Sequence, residues 1–247
     1  MVYPVVGTGW EETGPSGYTY GAVLVRGGPS EVLEALRAVR FSGWVAPPDE
    51  RGWLVAVAAA GAGTVAAGRR GVVGVGEWLG DRFPVLAVQV VDDRQLVLAL
   101  WTDGEEQGRY VSDPSWGTDR DEGVLADPVG TDVAAGLAAA CGRPDVADEL
   151  ADLLAEELDA ESVIESERLV KVLDLLDLPR WLVNASALPR DVPLGPRSRE
   201  LTRLGAGLAG PAGRVRGWAA DLVRRRRPPP PVLADPPRTG SPDPWLF

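Results

Sequence analysis

Eight carboxylates fall between residues 145 and 161, at Asp145, Asp148, Glu149, Asp152, Glu156, Glu157, Asp159 and Glu161, with no basic residue among them. On a helix that turns Val146, Leu150, Leu153 and Leu154 to one side, such a run is either a solvated face or a docking surface for a basic partner. Association through it would be field-assisted and weakened by salt. A basic segment exists in the same chain. Residues 211 to 227, PAGRVRGWAADLVRRRR, put Val215, Trp218, Ala219 and Leu222 on one helical face and six arginines elsewhere, the last four being Arg224, Arg225, Arg226 and Arg227. An internal partner, with these arginines facing the acidic helix, therefore comes before an external one. The same stretch resembles an interfacial membrane helix or a nucleic-acid contact. A chain of net charge −11 approaches phosphate surfaces at a cost, so nucleic acid is not expected and membrane-surface contact by 211–227 is the weaker alternative.

The side chains that are missing say more. Histidine is absent, cysteine occurs once at Cys141 and lysine once at Lys171. Imidazole general-base catalysis, Ser-His-Asp and Cys-His arrangements, histidine metal sites, disulfides and cysteine metal sites are all unavailable from this chain. No G-x-x-x-x-G-K-[ST] phosphate loop occurs. Cys141, in GLAAACG, reads as a small buried hydrophobe rather than a reactive thiol.

Three weaker constellations remain. Gly61, Gly63 and Ala66 follow a strand and fit the G-x-G-x-x-[G/A] dinucleotide fingerprint, with Arg69 and Arg70 able to hold a phosphate. The next strand ends at Asp92, about 30 residues on, where the ribose-binding acid is expected about 20 residues on, so a flexible Gly/Ala connection is the competing role. The loop carboxylates Asp113, Asp119, Asp121, Glu122 and Asp127 offer oxygen ligands, but their spacing is not that of an EF-hand. At the end of the chain, Arg225-x-x-Pro228-x-x-Pro231 has the form of a polyproline ligand, and Trp245 in DPWLF is an apolar docking candidate. No cofactor or metal is expected.

The elements that position these groups follow from periodicity. Residues 18–25 read as a strand, followed by a helix over EVLEALRAV with Ser30 as its cap. FSGWVA and WLVAVAAA form two antiparallel strands, and a helix carries Val72, Val75, Trp78 and Leu79. PVLAVQVV, QLVLALW and GRYVS form a meander whose second turn is Asp103-Gly104, a type I′ hairpin signal. The order β-α-β-β-α-β plus two strands predicts an α+β protein: a split βαβ, ferredoxin-like sandwich with an extended antiparallel sheet, a helical C-terminal part and a Pro-rich tail. Helices cover one face, and the later helices are the candidates for the other. Beyond the loop, helices are expected over TDVAAGLAAAC, closed by Gly142, and over DVADELADLLAEEL, opened by Pro144. A capping box Ser162-x-x-Glu165 starts a third, and two more are expected at 198–209 and 212–226. The implied organisation is an extension at 1–17, a sandwich at 18–130 with the acidic loop 113–130, a helical part at 131–227 and a flexible tail at 228–247. Residues 191–247 carry a net charge of +5, leaving −16 on residues 1–190. The molecule is polarised.

SDPSWG, SVIESERLVKVLDLLDLPRWLV and ALPRDVPLGPRSRELTRLGAG resemble a family of proteins from high-GC actinobacteria. The scarcity of isoleucine, asparagine and lysine, whose codons are AT-rich, agrees with such a genome. The resemblance implies a bacterial, cytoplasmic protein and carries no catalytic residues with it. The start MVYPVVGTGWEETG has neither a basic nor an apolar leader region, and the uncharged stretch 53–68 is shorter than the roughly 20 residues a membrane helix needs. The expected function is non-enzymatic binding or regulation, adaptor or immunity-like, through a charge-polarised surface. The alternative is a nucleotide- or dinucleotide-binding enzyme using residues 61–68.

Overall fold

In chain order the elements are β1 (Tyr20–Arg26), α1 (Pro29–Ala38), β2 (Gly43–Val45), β3 (Trp53–Ala58), α2 (Val72–Gly80), β4 (Val85–Val91), β5 (Gln95–Thr102) and β6 (Glu105–Val111), then α3 (Val133–Ala140), α4 (Ala147–Ala155), α5 (Glu165–Leu175) and β7 (Thr202–Leu204). The computed structural model describes residues 19–58, 71–116, 125–157, 163–187, 191–192 and 194–204, with Val215 and Ala219.

The apolar runs of β1, β4 and β5 lack polar alternation because both faces of these strands are buried. All seven strands join one antiparallel sheet in the order β6-β5-β4-β1-β3-β2-β7. The two crossovers, β1-α1-β2 and β3-α2-β4, each leave one antiparallel strand between the strands they connect. The pleat sends Val23, Val25, Val85, Ala87, Val97 and Ala99 to a core with α1 and α2. It sends Ala22, Leu24, Leu86, Val88, Leu96 and Leu98 to a second core with α3, α4 and α5. Helices therefore flank both faces, and the later ones share a core with the sheet.

Asp103 (φ 55°) and Gly104 (φ 83°) take the two consecutive positive φ values that the expected type I′ turn requires, and Asp92 (50°) and Asp93 (57°) do the same in the β4–β5 turn. Gly142 closes α3 in the left-handed region, where its amide and that of Arg143 take the carbonyls of Ala139 and Ala138. Asp177, at φ 53°, ends α5 in the same way, with Leu178 reaching back to the Leu173 carbonyl.

Four local expectations are corrected. Ser30 does not cap α1: the helix begins at Pro29 with Gly28 before it, since proline fits a first turn that needs no amide donor. Pro144 opens a short 3-10 turn, Pro144–Val146, which feeds α4 at Ala147. The helix expected at 198–209 is not formed over its described part. Thr202–Leu204 is instead a strand that pairs with β2, with Trp44 opposite Arg203, because the edge of β2 offers ladder partners that a glycine-interrupted helix would lack. The capping box at the start of α5 is replaced by a cap from elsewhere in the chain, described next.

Candidate functional site

Glu165 and Arg168 stand three residues apart at the start of α5, on the stripe that continues as Leu169, Val172 and Leu173, and so are carried into the core. What positions them is the β4–β5 turn. The Asp93 carbonyl accepts the Glu165 amide at 2.8 Å, and Asp93 Oδ1 accepts the Ser166 amide at 2.8 Å. A hairpin thus caps a helix that begins some seventy residues later, and Ile164, at the cap position, supplies no side-chain bond. Ser162 lies outside the described residues. Asp92 is held by Thr19, whose Oγ1 donates to Asp92 Oδ1 at 3.1 Å and accepts the Asp92 amide at 2.9 Å. The Tyr20 hydroxyl is hydrogen-bonded to Ser166 Oγ at 2.9 Å.

Around this cap lies a buried ionisable cluster. Glu165 is 2% exposed and Arg168 3%, with Arg168 Nη1 3.5 Å from Glu165 Oε1. Arg168 Nη1 also donates to Tyr110 Oη, and Arg168 Nη2 to the Glu156 carbonyl. Tyr110 Oη donates in turn to the Leu154 carbonyl at 3.0 Å. Arg168 and Tyr110 together tie the last turn of α4 to the sheet, where the negative end of the helix dipole faces a guanidinium. Among the described residues, Glu165 Oε2 and Arg168 Nε have no hydrogen-bond partner. Burial pushes the Glu165 carboxyl up to about 7. That outweighs the lowering by Arg168 and by the bond to Ser112, and the carboxylates of Asp93 and Asp113 add to the rise. Burial also raises the Tyr110 and Tyr20 phenols well above their usual range, against Arg168 and Ser166 respectively.

Asp113 is one of the expected oxygen ligands, and its carboxylate is committed elsewhere. Its Oδ1 accepts from the Ser115 amide (2.9 Å), Ser115 Oγ (2.6 Å) and the Ala126 amide (3.1 Å), folding the chain back after β6. Asp127 is exposed, and Asp119, Asp121 and Glu122 lie outside the described residues. Among the described residues no group of three or more acidic or cysteine side chains is arranged to hold a metal ion. Cys141 is buried at the C-terminal end of α3 and its thiol is pushed up to about 12 by that burial, although Arg51 and Arg26 lower it.

Of the acidic run, Asp145 lies in the 3-10 turn and pairs with Arg143 at 3.4 Å, and Asp159 and Glu161 lie outside the described residues. Leu150 and Leu154 are fully buried, while Asp148, Glu149 and Asp152 are exposed on the outer side of α4 and Glu156 and Glu157 are exposed just past its end. No described basic group pairs with any of those five carboxylates. The six-arginine segment is described only at Val215 and Ala219. Both are helical and exposed, Val215 by 64%, so Val215 is not packed against the helical layer. Arg224, Arg225, Arg226, Arg227 and Trp245 lie outside the described residues, as do Gly61, Gly63, Ala66, Arg69 and Arg70. The flanks of that glycine segment are described. β3 lies between antiparallel neighbours and α2 begins at Val72 after Gly71, whereas the dinucleotide fingerprint works from a parallel sheet. No described helix is long and apolar enough to cross a membrane.

Sequence reasoning named Glu165 only as a capping partner and did not single out Asp93, Tyr110 or Arg168. A signal was available: opposite charges at i and i+3 on the apolar stripe of α5 are out of place unless the two are buried together. No protein-family model, curated protein or solved structure matches the chain.

Proposed function

We propose that the chain is a non-enzymatic binding or regulatory protein of the bacterial cytoplasm, adaptor or immunity-like, that docks a basic segment on the outer face of α4. The observation that carries this is the exposed set Asp148, Glu149, Asp152, Glu156 and Glu157, which has no described basic counter-group and lies along and just past a helix fixed by Leu150 and Leu154. Carboxylates at the C-terminal end of a helix oppose its dipole, so Glu156 and Glu157 cost stability where they stand. In this reading the β4-β1-β3-β2 core with its two helix crossovers is a split βαβ, ferredoxin-like sandwich serving as a scaffold. The lack of imidazole supports binding over catalysis.

The chain's own arginine-rich segment is the natural probe. A synthetic peptide of residues 211–227 titrated onto the protein should bind saturably, more weakly as salt rises, and with at least tenfold lower affinity for the Asp152→Ala, Glu156→Ala, Glu157→Ala triple variant, an effect of about 1.4 kcal/mol. Equal affinity of the variant and the parent would remove α4 as the docking face.

A further inference from the structure

A chain without histidine lacks the side chain that ordinarily responds to pH near neutrality. We infer that Glu165 takes that role as a proton switch between α5 and the end of α4: when its carboxyl is neutral, Arg168 is committed to Tyr110 and Glu156, and when it is ionised the guanidinium is shared with it. The switch belongs to the fold and holds whether or not α4 docks a basic partner.

The geometry confines the carboxyl on every side. From its own helix Glu165 faces Arg168 at 3.5 Å. From the β4–β5 turn it faces Asp93, whose carbonyl holds its amide and whose carboxylate lies in its field. From the end of β6 come the Ser112 hydroxyl, the Asp113 carboxylate and the Tyr110 phenol, the last bonded to Arg168. From β1 comes Tyr20, through Ser166. From α4 comes the Glu156 carbonyl, also on Arg168. One cation therefore serves a carbonyl, a phenol and, once Glu165 is ionised, a carboxylate, while among the described residues Glu165 Oε2 has no partner. Two further carboxylates disfavour a third charge beside them.

The direction follows from linkage. The folded value, about 7, lies above the ~4.3 of an ordinary glutamate, so the native state holds the proton more tightly than the unfolded chain. The stabilisation is complete below the unfolded value and is lost as pH rises through the folded one. The α4 end, sharing Arg168 with a new charge, loosens over the same interval.

The test uses the full chain with a ¹³C label in the glutamate carboxyls, scanned from about pH 5.5 to about pH 8.5 with urea unfolding and amide exchange alongside. The Glu165 resonance should titrate with a midpoint near 7. Stability should fall as pH rises towards that midpoint and level off above it, and protection of the α4 amides should fall as the carboxyl ionises. Glu165→Gln should abolish the fall in both, a control that also separates Glu165 from the α-amino group, which titrates in the same region. A midpoint in the ordinary carboxylate range, or an undiminished slope in Glu165→Gln, overturns the switch. If that variant does not fold, the wild-type resonance decides alone. A titration near 7 that leaves α4 protection unchanged overturns the link to α4.

Discussion

Asp93 Oδ1 accepts the Ser166 amide at 2.8 Å, and the two residues stand 73 positions apart. The three-residue turn 92–94 thereby does the work of a helix cap and ties the β4–β5 hairpin to the start of α5. Asp92 and Asp93 of that turn sit in the left-handed region, which aspartate tolerates.

Replacing Asp93 separates the cap from the strain. Asp93→Gly removes the carboxylate and accepts the positive φ without cost, so its loss of stability, roughly 1–2 kcal/mol, is that of a cap bonded to a charged acceptor. Asp93→Asn keeps an oxygen acceptor but removes the charge that raises Glu165, so the Glu165 midpoint should move down. Urea unfolding reads the first effect and the carboxyl resonance the second. A glycine variant as stable as the parent would show that the bond contributes nothing.

The two buried tyrosines should respond unequally to loss of their hydroxyls. Tyr110→Phe strands the Leu154 carbonyl and one Arg168 donor inside the protein, a cost of roughly 2 kcal/mol or more. Tyr20→Phe leaves only the Ser166 hydroxyl, which can turn to another acceptor, and should cost about 1 kcal/mol. Comparable losses would mean that the Tyr110 hydroxyl does not anchor α4.

Periodicity and turn chemistry made most of the sheet and the helices legible. Asp103-Gly104 announced its hairpin because few residue pairs tolerate two positive φ values in succession, and Leu150 and Leu154 announced the buried side of α4 by their spacing. β7 was hidden because Thr202–Leu204 has no periodicity of its own and is a strand only through its pairing with β2. The ionisable cluster was hidden for a related reason. Tyr110, Asp93, Glu165 and Arg168 come from a strand end, a turn and a helix start, and only the sheet order brings them together. Ser162-x-x-Glu165 suggested a local cap, whereas the helix starts at Glu165 and takes its acceptors from Asp93.

α2 contains glycines that a helix ordinarily disfavours, and Trp101 of β5 is the reason. A Cβ on Gly76 would stand 2.6 Å from Trp101 Cζ3, and one on Gly80 would stand 2.6 Å from Trp101 Cβ. Gly76→Ala gains about 1 kcal/mol of helix propensity but loses roughly 1–3 kcal/mol to overpacking, so it should destabilise on balance. Adding Trp101→Leu should recover part of that loss in a double-mutant cycle. The same second change should not rescue Gly80→Ala, whose conflict is with the β-carbon that leucine retains. Equal rescue at both positions would show that the indole does not set the α2–β5 spacing.

Glu156 and Glu157 put stability and binding in opposition. They follow the last turn of α4, where unpaired carbonyls already present negative charge, and from inside Arg168 answers it at the Glu156 carbonyl and the Tyr110 hydroxyl at the Leu154 carbonyl. Glu156→Gln and Glu157→Gln remove the repulsion without disturbing Leu150 or Leu154 and should each stabilise the fold by about 0.3–1 kcal/mol at low salt, with the gain shrinking as salt screens it. The same changes should weaken binding of the 211–227 peptide. Leu150→Ala, in contrast, should cost roughly 2–5 kcal/mol by opening a cavity beneath α4. A pair of glutamine variants that gain stability and keep full peptide affinity would leave the acidic face with a solvating role only.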